Sequence, residues 1–336
     1  MYLIRNLILV IAAVWLLSVQ GLSQKTKIVF EHLVPKEVTS PLWIPCIYQD
    51  KTGYIWFGTV NGAARYDGYV FTMFRHQPGD STVSAWVQTL YEDRSGNMWF
   101  GTSRGLDKLN PSTNTFKHYV PNPQKPISDW SNWILTIHED KDGTIWVGTG
   151  EGLNKFEPKT ETFIKFHHDI TEPGSISSNV VNSIYEDRAG SLWFCTSDGL
   201  DKFDSKTGKF IHIWHNTEMQ AKEFNPIYCI NNIYEDRTGI LWLATSGGLV
   251  AYNQNAGTFI KYFNDPMNPQ SLSENNITTV CEDESGVLWV GTASAGLNSF
   301  DRRLNQFSHY THDELDPESI SNNYIRFVFR ERSGTL

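Results

Sequence analysis

An all-β propeller of four-stranded blades is the fold this sequence predicts, with six complete blades and a truncated seventh. Three observations predict it: one motif repeated six times, a near-constant distance between copies, and the same order of strands and turns in each. The motif is Asp-x-x-Gly-x-x-Trp. It occurs as Asp50, Gly53, Trp56; Asp93, Gly96, Trp99; Asp140, Gly143, Trp146; Asp187, Gly190, Trp193; Asp236, Gly239, Trp242; and Asp283, Gly286, Trp289. Successive tryptophans lie 43, 47, 47, 49 and 47 residues apart, the length of one propeller blade. Long segments with the apolar period of a helix, which a helical solenoid needs, are absent.

The elements follow in order. Residues 1–23 read as a signal peptide, with Arg5 as its positive start, Leu7 to Leu17 as its apolar core, and Gly21 and Ser23 near the cleavage point. The apolar run is short for a spanning helix, and no cysteine follows it to carry a lipid anchor. Residues 24–336 then form one propeller sensor domain, incomplete at its C-terminus. Lys27 to Phe30 reads as an outermost strand without a blade of its own, placed to complete the last blade and close the ring.

Inside a blade, an alternating run such as residues 87–91 is the innermost strand, A. The Asp-x-x-Gly turn follows, where Gly accepts positive φ and Asp bonds the turn's amides. Strand B, residues 98–102 in the second copy, is rich in aromatic and β-branched residues. A second glycine, Gly105, leads into strand C, and Phe116 opens the outer strand D. Phe71, Phe163, Phe210, Phe259 and Phe307 are its equivalents. Two residues past each motif Trp stands Gly58, Gly101, Gly148, Cys195, Ala244 or Gly291. All are small, as close packing against a neighbouring blade requires. Residues 325–336 restart strand A and its turn, and the next residue in register would be a seventh motif tryptophan.

Composition narrows the function. A net charge of −9 and a sequence pI near 5.6 argue against a nucleic-acid partner for this region. Cys46, Cys195, Cys229 and Cys281 lie far apart without Cys-x-x-Cys spacing, so they read as small buried hydrophobes and no cofactor or zinc site is expected.

Residues 91–119, with their five companions, closely resemble the two-component regulator propeller repeat, from about Phe30 to the end of the chain. Cys195 and Ala244 depart from the usual Gly before Thr, and both remain small. The resemblance implies a periplasmic sensor of the Bacteroidetes hybrid two-component regulatory systems, in which tandem seven-bladed propellers and a β-sandwich precede a membrane helix. Histidine kinase, receiver and DNA-binding modules, or a diguanylate cyclase, follow in such proteins. Many of them recognise carbohydrate fragments and switch on degradation genes. No kinase, receiver or DNA-binding motif occurs in this sequence, so signal transduction and any homodimer are implied only through a longer parent. Membrane contact is likewise implied through that parent or through an uncleaved signal segment.

Columns that vary between repeats point to the ligand, because a small ligand cannot contact every blade alike. Seven residues before each turn acid stand Trp43, Trp86, Trp133, Val180, Cys229, Asn276 and Tyr324. Two positions later come Pro45, Gln88, Leu135, Asn182, Asn231, Thr278 and Arg326. Five residues after each Trp, in the B–C loop, are Asn61, Arg104, Glu151, Asp198 and Gly247, with Ser294 or Ala295 in the longer sixth copy. These columns share the face of the D–A and B–C loops. The expected ligand-binding residues are Trp43, Asn61, Trp86, Arg104, Trp133, Glu151, Asp198, Tyr324 and Arg326. Aromatic faces ringed by polar groups suit an oligosaccharide, although a tryptophan in this column also suits inter-blade packing.

Other constellations point to structure. The Glu-Asp pairs that precede the turns recur once per blade and so cannot converge on one bond. Asp140 and Asp142 resemble part of a calcium loop without its closing Glu. His167, His168, His212, His215, His309 and His312 fall on or just past the outer strands, where polar residues protect an edge. No catalytic residue is expected. The leading reading is a carbohydrate-sensing propeller, the alternatives a propeller glycosidase or lyase, or a protein-interaction scaffold.

Overall fold

The computed structural model describes residues 28–32, 43–74, 86–110, 113, 115–215 and 229–336. Its strands form six four-stranded antiparallel sheets, spanning residues 47–74, 87–119, 134–166, 181–215, 230–262 and 277–310. In blade 2, strands A to D are Val87–Glu92, Met98–Thr102, Gly105–Asn110 and Thr115–Tyr119. The A strands of neighbouring blades pack side by side around a central channel. Among the described residues the helical element is one 3₁₀ turn, Trp130–Asn132, and no helix is long and apolar enough to cross a membrane.

The repeated spacing of the motif has a physical cause. In all six blades one carboxylate oxygen of the motif Asp accepts the indole Nε1–H of its own Trp, at 2.7–2.8 Å. The other oxygen accepts the backbone N–H four residues along, at 2.8–3.1 Å. The turn glycines take φ values of 77–97°, which a residue with a side chain adopts only at a cost. Turn, strand B and indole are thus locked together by one charged acceptor.

In blades 1 to 5 the indole then faces the next blade. Trp56 packs with Val87, Leu90 and Phe100 of blade 2, Trp99 with Ile134 and Val147 of blade 3, and Trp146 with Val181 and Phe194 of blade 4. All six motif tryptophans are at most 6% exposed. The small-residue column meets two walls. A Cβ on Gly101 would fall 2.4 Å from the Thr89 methyl of its own strand A and 2.6 Å from Ile134 of the next blade. The neighbour-packing expectation holds, and the blade's own strand A adds to it.

The Glu before the motif Asp links the turns into a ring. Its carboxylate accepts the N–H that follows the Asp of the preceding blade, from Lys51 to Glu92, Arg94 to Glu139, Lys141 to Glu186, Arg188 to Glu235 and Arg237 to Glu282, at 2.6–3.2 Å. The Glu-Asp pairs are therefore inter-blade clamps, and they set the Asp-Gly turns side by side on one face.

Residues 311–336 contribute no strand to a sheet. Their last segment nonetheless lies between blades 6 and 1. The Glu331 and Gly334 N–H groups close the same turn as in every blade, bonding Thr335 O and Glu331 O, and the Arg332 N–H donates to Gln49 Oε1 at 2.8 Å. On the outside, the Phe30 N–H donates to Glu318 O at 3.0 Å, and His32 Nε2 sits 2.7 Å from Ser319 O. The same pair of contacts joins Phe307 to Gln270 O and His309 to Ser271 O in blade 6. The expected outer strand is thus seen as an extended segment from Ile28 rather than a sheet member. Lys27 and residues 1–23 lie outside the described residues.

Truncating Trp146 to Ala is expected to cost about 3–5 kcal/mol through the cavity it leaves. Trp146→Phe keeps most of the packing but strands a buried carboxylate oxygen of Asp140, so about 1–3 kcal/mol should go. Denaturant unfolding of both variants checks this order, and a neutral Trp146→Ala would contradict it.

Candidate functional site

On the face opposite the Asp-Gly turns, the end of strand B carries a threonine in every blade. Its hydroxyl donates to the carbonyl of the glycine opening strand C, as from Thr102 to Gly105 at 2.8 Å, and accepts the N–H two residues on. Those N–H groups belong to Asn61, Arg104, Glu151, Asp198 and Gly247, at 3.1–3.2 Å; in the longer sixth loop Ala295 serves at 3.0 Å. The loop backbone is held identically while the side chain at that position varies. Asn61, Arg104 and Glu151 are exposed and Asp198 is half-buried.

A second bond brings the variable columns together. Ser103 N–H donates to Trp86 O, Ser197 to Val180 O, Ser246 to Cys229 O and Ala293 to Asn276 O, at 3.0–3.1 Å. The residue that begins strand A therefore sits beside the B–C loop of its own blade.

Two residues further in, strand A bulges. Pairing with strand B skips Gln88, Leu135, Asn182, Asn231 and Thr278, and a bulge re-aims the side chain it inserts. All five line the central channel with Pro45, Arg326 and Tyr324, around a cavity of about 590 Å³. Blades 4–6 give it a polar side: Asn182 Nδ2 donates to Ile230 O at 3.1 Å, Asn231 Nδ2 to Ile277 O at 2.7 Å, and Thr278 Oγ1 to Ile325 O.

The aromatic residues of the strand A column form two groups rather than one arc, and of their rings Tyr324 alone lines the cavity. Trp86 meets Trp133 edge to face at 5.5 Å, and Trp43 lies 5.6 Å from Tyr324; no ring contact joins Trp43 to Trp86. Trp43 remains 46% exposed. The indole N–H groups of Trp86 and Trp133 are buried, with no hydrogen-bond partner among the described residues. Trp130, not anticipated from the sequence, meets Trp133 edge to face at 4.8 Å and is 43% exposed. It covers Gly150, where a Cβ would fall 1.9 Å from the indole. It stands in a D–A loop outside the aligned columns; its only signal was its place three residues before Trp133.

Burial shapes the titratable groups of the channel wall. The Cys46 thiol is pushed up to about 12 by burial, against weaker opposing pulls from the Gly58 amide and the Arg326 charge. Burial likewise holds the His138 imidazole below its ordinary 6.5, although Glu186, 3.7 Å away, opposes this. All four cysteines are free thiols. Asp140 already holds the Asp142 and Thr144 amides and the Trp146 indole. His212 bonds Asp201 at 2.7 Å and Pro173 O at 3.0 Å. Among the described residues no three metal-binding side chains cluster.

Residues 40–61, 83–104, 129–151, 175–198, 225–247 and 271–294 match the two component regulator propeller family. The chain carries two-component regulator propeller repeats. The six matched segments end on the variable loop residues Asn61, Arg104, Glu151, Asp198, Gly247 and Ser294. Histidine kinase P4 of Formosa agariphila is 35% identical over 66 residues, 20% of this chain and 5% of that protein. The extracellular domain of BT4673 from B. thetaiotaomicron, assigned to a hybrid two-component system, superposes with a TM-score of 0.74 at 21% identity, covering 92% of this chain and 38% of its own. Virginiamycin B lyase of Staphylococcus aureus gives 0.57 at 14% identity, covering 79% and 82%. At those identities the structural likenesses show the propeller fold alone. This chain spans less than half the length of the two-component proteins it matches.

Because its folded value is depressed, His138 contributes stability that is complete above pH 6.5 and is lost as pH falls through the lowered value. His138→Tyr, which installs the residue found at Tyr48, Tyr91, Tyr185 and Tyr234 in the same column, should flatten the fall of melting temperature between pH 7 and about 5. Parallel melting curves for the two proteins across that window would contradict it.

Proposed function

We propose that this chain is the ligand-sensing propeller of an extracytoplasmic receptor and takes a saccharide at the channel mouth on the D–A/B–C face. The observation that carries the reading is the pairing of aromatic rings in the variable column, Trp43 with the cavity-lining Tyr324 and Trp86 with Trp133, in a chain built of two-component regulator propeller repeats. Sugar C–H faces pack on such rings, and the amides and loops opposite supply hydrogen bonds. Asn61, Arg104, Glu151 and Asp198 form the rim in this reading, and Arg326 reaches in from the seam. The described lining residues of the cavity include no carboxylate, which favours holding a ligand over the paired acids of glycoside hydrolysis. Relay to a histidine kinase and response regulator, the periplasmic location, and the cleaved signal peptide complete the proposal through the kind of protein that Histidine kinase P4 is named to be.

The seam belongs to the same proposal. Residues 325–330 take the place of strand A of a seventh blade and Ile28 to His32 that of its strand D. Support comes from the repeated turn at Glu331, the Arg332–Gln49 clamp, and the Phe30 and His32 contacts that copy blade 6.

Calorimetric titration with a glycan-fragment panel tests the reading. Trp86→Ala and Trp133→Ala should each remove roughly 2 kcal/mol of affinity for a fragment that binds, with far less effect on melting temperature than Trp146→Ala. Intact binding with a large loss of stability would assign both rings to packing. Release of a cleaved product would favour the glycosidase or lyase alternative, and capture of protein alone the scaffold.

A further inference from the structure

The channel wall has one group of fixed charge. Its described lining residues include no aspartate, glutamate or lysine, and Arg326 is its single arginine, in a chain whose net charge is −9. The six other residues of the Arg326 column are neutral: Pro45, Gln88, Leu135, Asn182, Asn231 and Thr278. Most other arginines in the blades are taken up by the fold. Arg94 donates to Lys141 O, Arg188 to Asp236 O and Arg237 to Asp283 O and Glu284 O, while Arg302 pairs with Asp236 and Glu282.

Arg326 differs. Among the described residues it forms no ion pair, and its side-chain hydrogen bond there is a long one, Nη1 to Tyr324 Oη at 3.5 Å. A guanidinium has five N–H donors, so most of them have no protein acceptor within the described residues. The group is half-buried, and its backbone is held by the Thr278 hydroxyl on the neighbouring Ile325 carbonyl. Through Tyr324 it adjoins Trp43, the most exposed ring of the mouth aromatics. A fixed planar cation beside an open aromatic face, with carboxylates kept out of the surrounding wall, is a receptor for an anionic group on a ring-shaped ligand.

We infer that the ligand is an acidic saccharide, whose carboxylate or sulfate is taken by Arg326 while its ring lies on the neighbouring aromatic faces. This rests on the saccharide-sensing reading and names the class of saccharide.

The test titrates the chain with three probes: a neutral gluco-oligosaccharide, an oligogalacturonate and a sulfated galacto-oligosaccharide. One of the two acidic probes should bind more tightly than the neutral one, and which of them does so separates carboxylate from sulfate. Its affinity should weaken with added salt. R326Q should lower that affinity about tenfold to a hundredfold, the range of a hydrogen-bonded charge, with R326K intermediate. R326Q should lower neutral-probe affinity far less than acidic-probe affinity, and melting temperature should change little. Equal binding of neutral and acidic probes, or acidic binding indifferent to R326Q, overturns the inference and leaves the saccharide reading standing. If R326Q does not fold, wild-type affinity that is indifferent to ionic strength overturns it. No binding of any probe class overturns both.

Discussion

The hydrogen bond from each motif tryptophan to the aspartate six residues before it holds the rest of the molecule in place. It fixes the indole at the root of strand B, so that the ring can only face the next blade. It also consumes a carboxylate oxygen that would otherwise be buried without a partner, since five of the six motif aspartates, all but Asp283, are at most 9% exposed. An unpaired buried charge is costly; here the Trp N–H and the turn amides together satisfy it. Inter-blade packing, the small-residue column and the ring of Glu clamps all follow from that placement.

Uniformity on one face permits variety on the other. The turn face is spent on closure: each motif aspartate is held by an amide and an indole, and in five blades the Glu before it by an amide of the preceding blade. On the opposite face the threonine at the end of strand B holds the loop by its own hydroxyl and by backbone atoms alone. The neighbouring side chain is then free to be Asn, Arg, Glu, Asp or Gly without disturbing the sheet. A scaffold of this kind separates the residues that hold the sheets from the residues free to vary by position rather than by domain.

The seam between blades 6 and 1 shows the same logic under different residues. Gln49 takes the place that Glu holds in five blades and still accepts the Arg332 amide. Tyr324 and Arg326 reach the channel from this seam, so the segment that closes the inner ring also contributes the wall's one fixed charge. In the proposed reading, closure and ligand binding meet there, whereas elsewhere they are kept on opposite faces.

Blade number, strand order and the buried tryptophans were legible in the amino-acid sequence because they repeat: a physical demand met six times leaves the same residues at the same spacing. The variable columns were legible for the converse reason, as departures from a known frame. Three things were not. The Asp–Trp bond was hidden because spacing shows that two residues belong together but not which atoms meet. The division of the mouth into a Trp86–Trp133–Trp130 group and a Trp43–Tyr324 pair depends on loop paths, and Trp130 lies outside any repeated position. The bulge in strand A, which turns Gln88, Leu135, Asn182, Asn231 and Thr278 into the channel, leaves no composition signal, because an inserted residue is free of pairing and can be of any type. Local repetition therefore determined the frame, while the direction of each variable side chain was decided only when six sheets closed around a common axis.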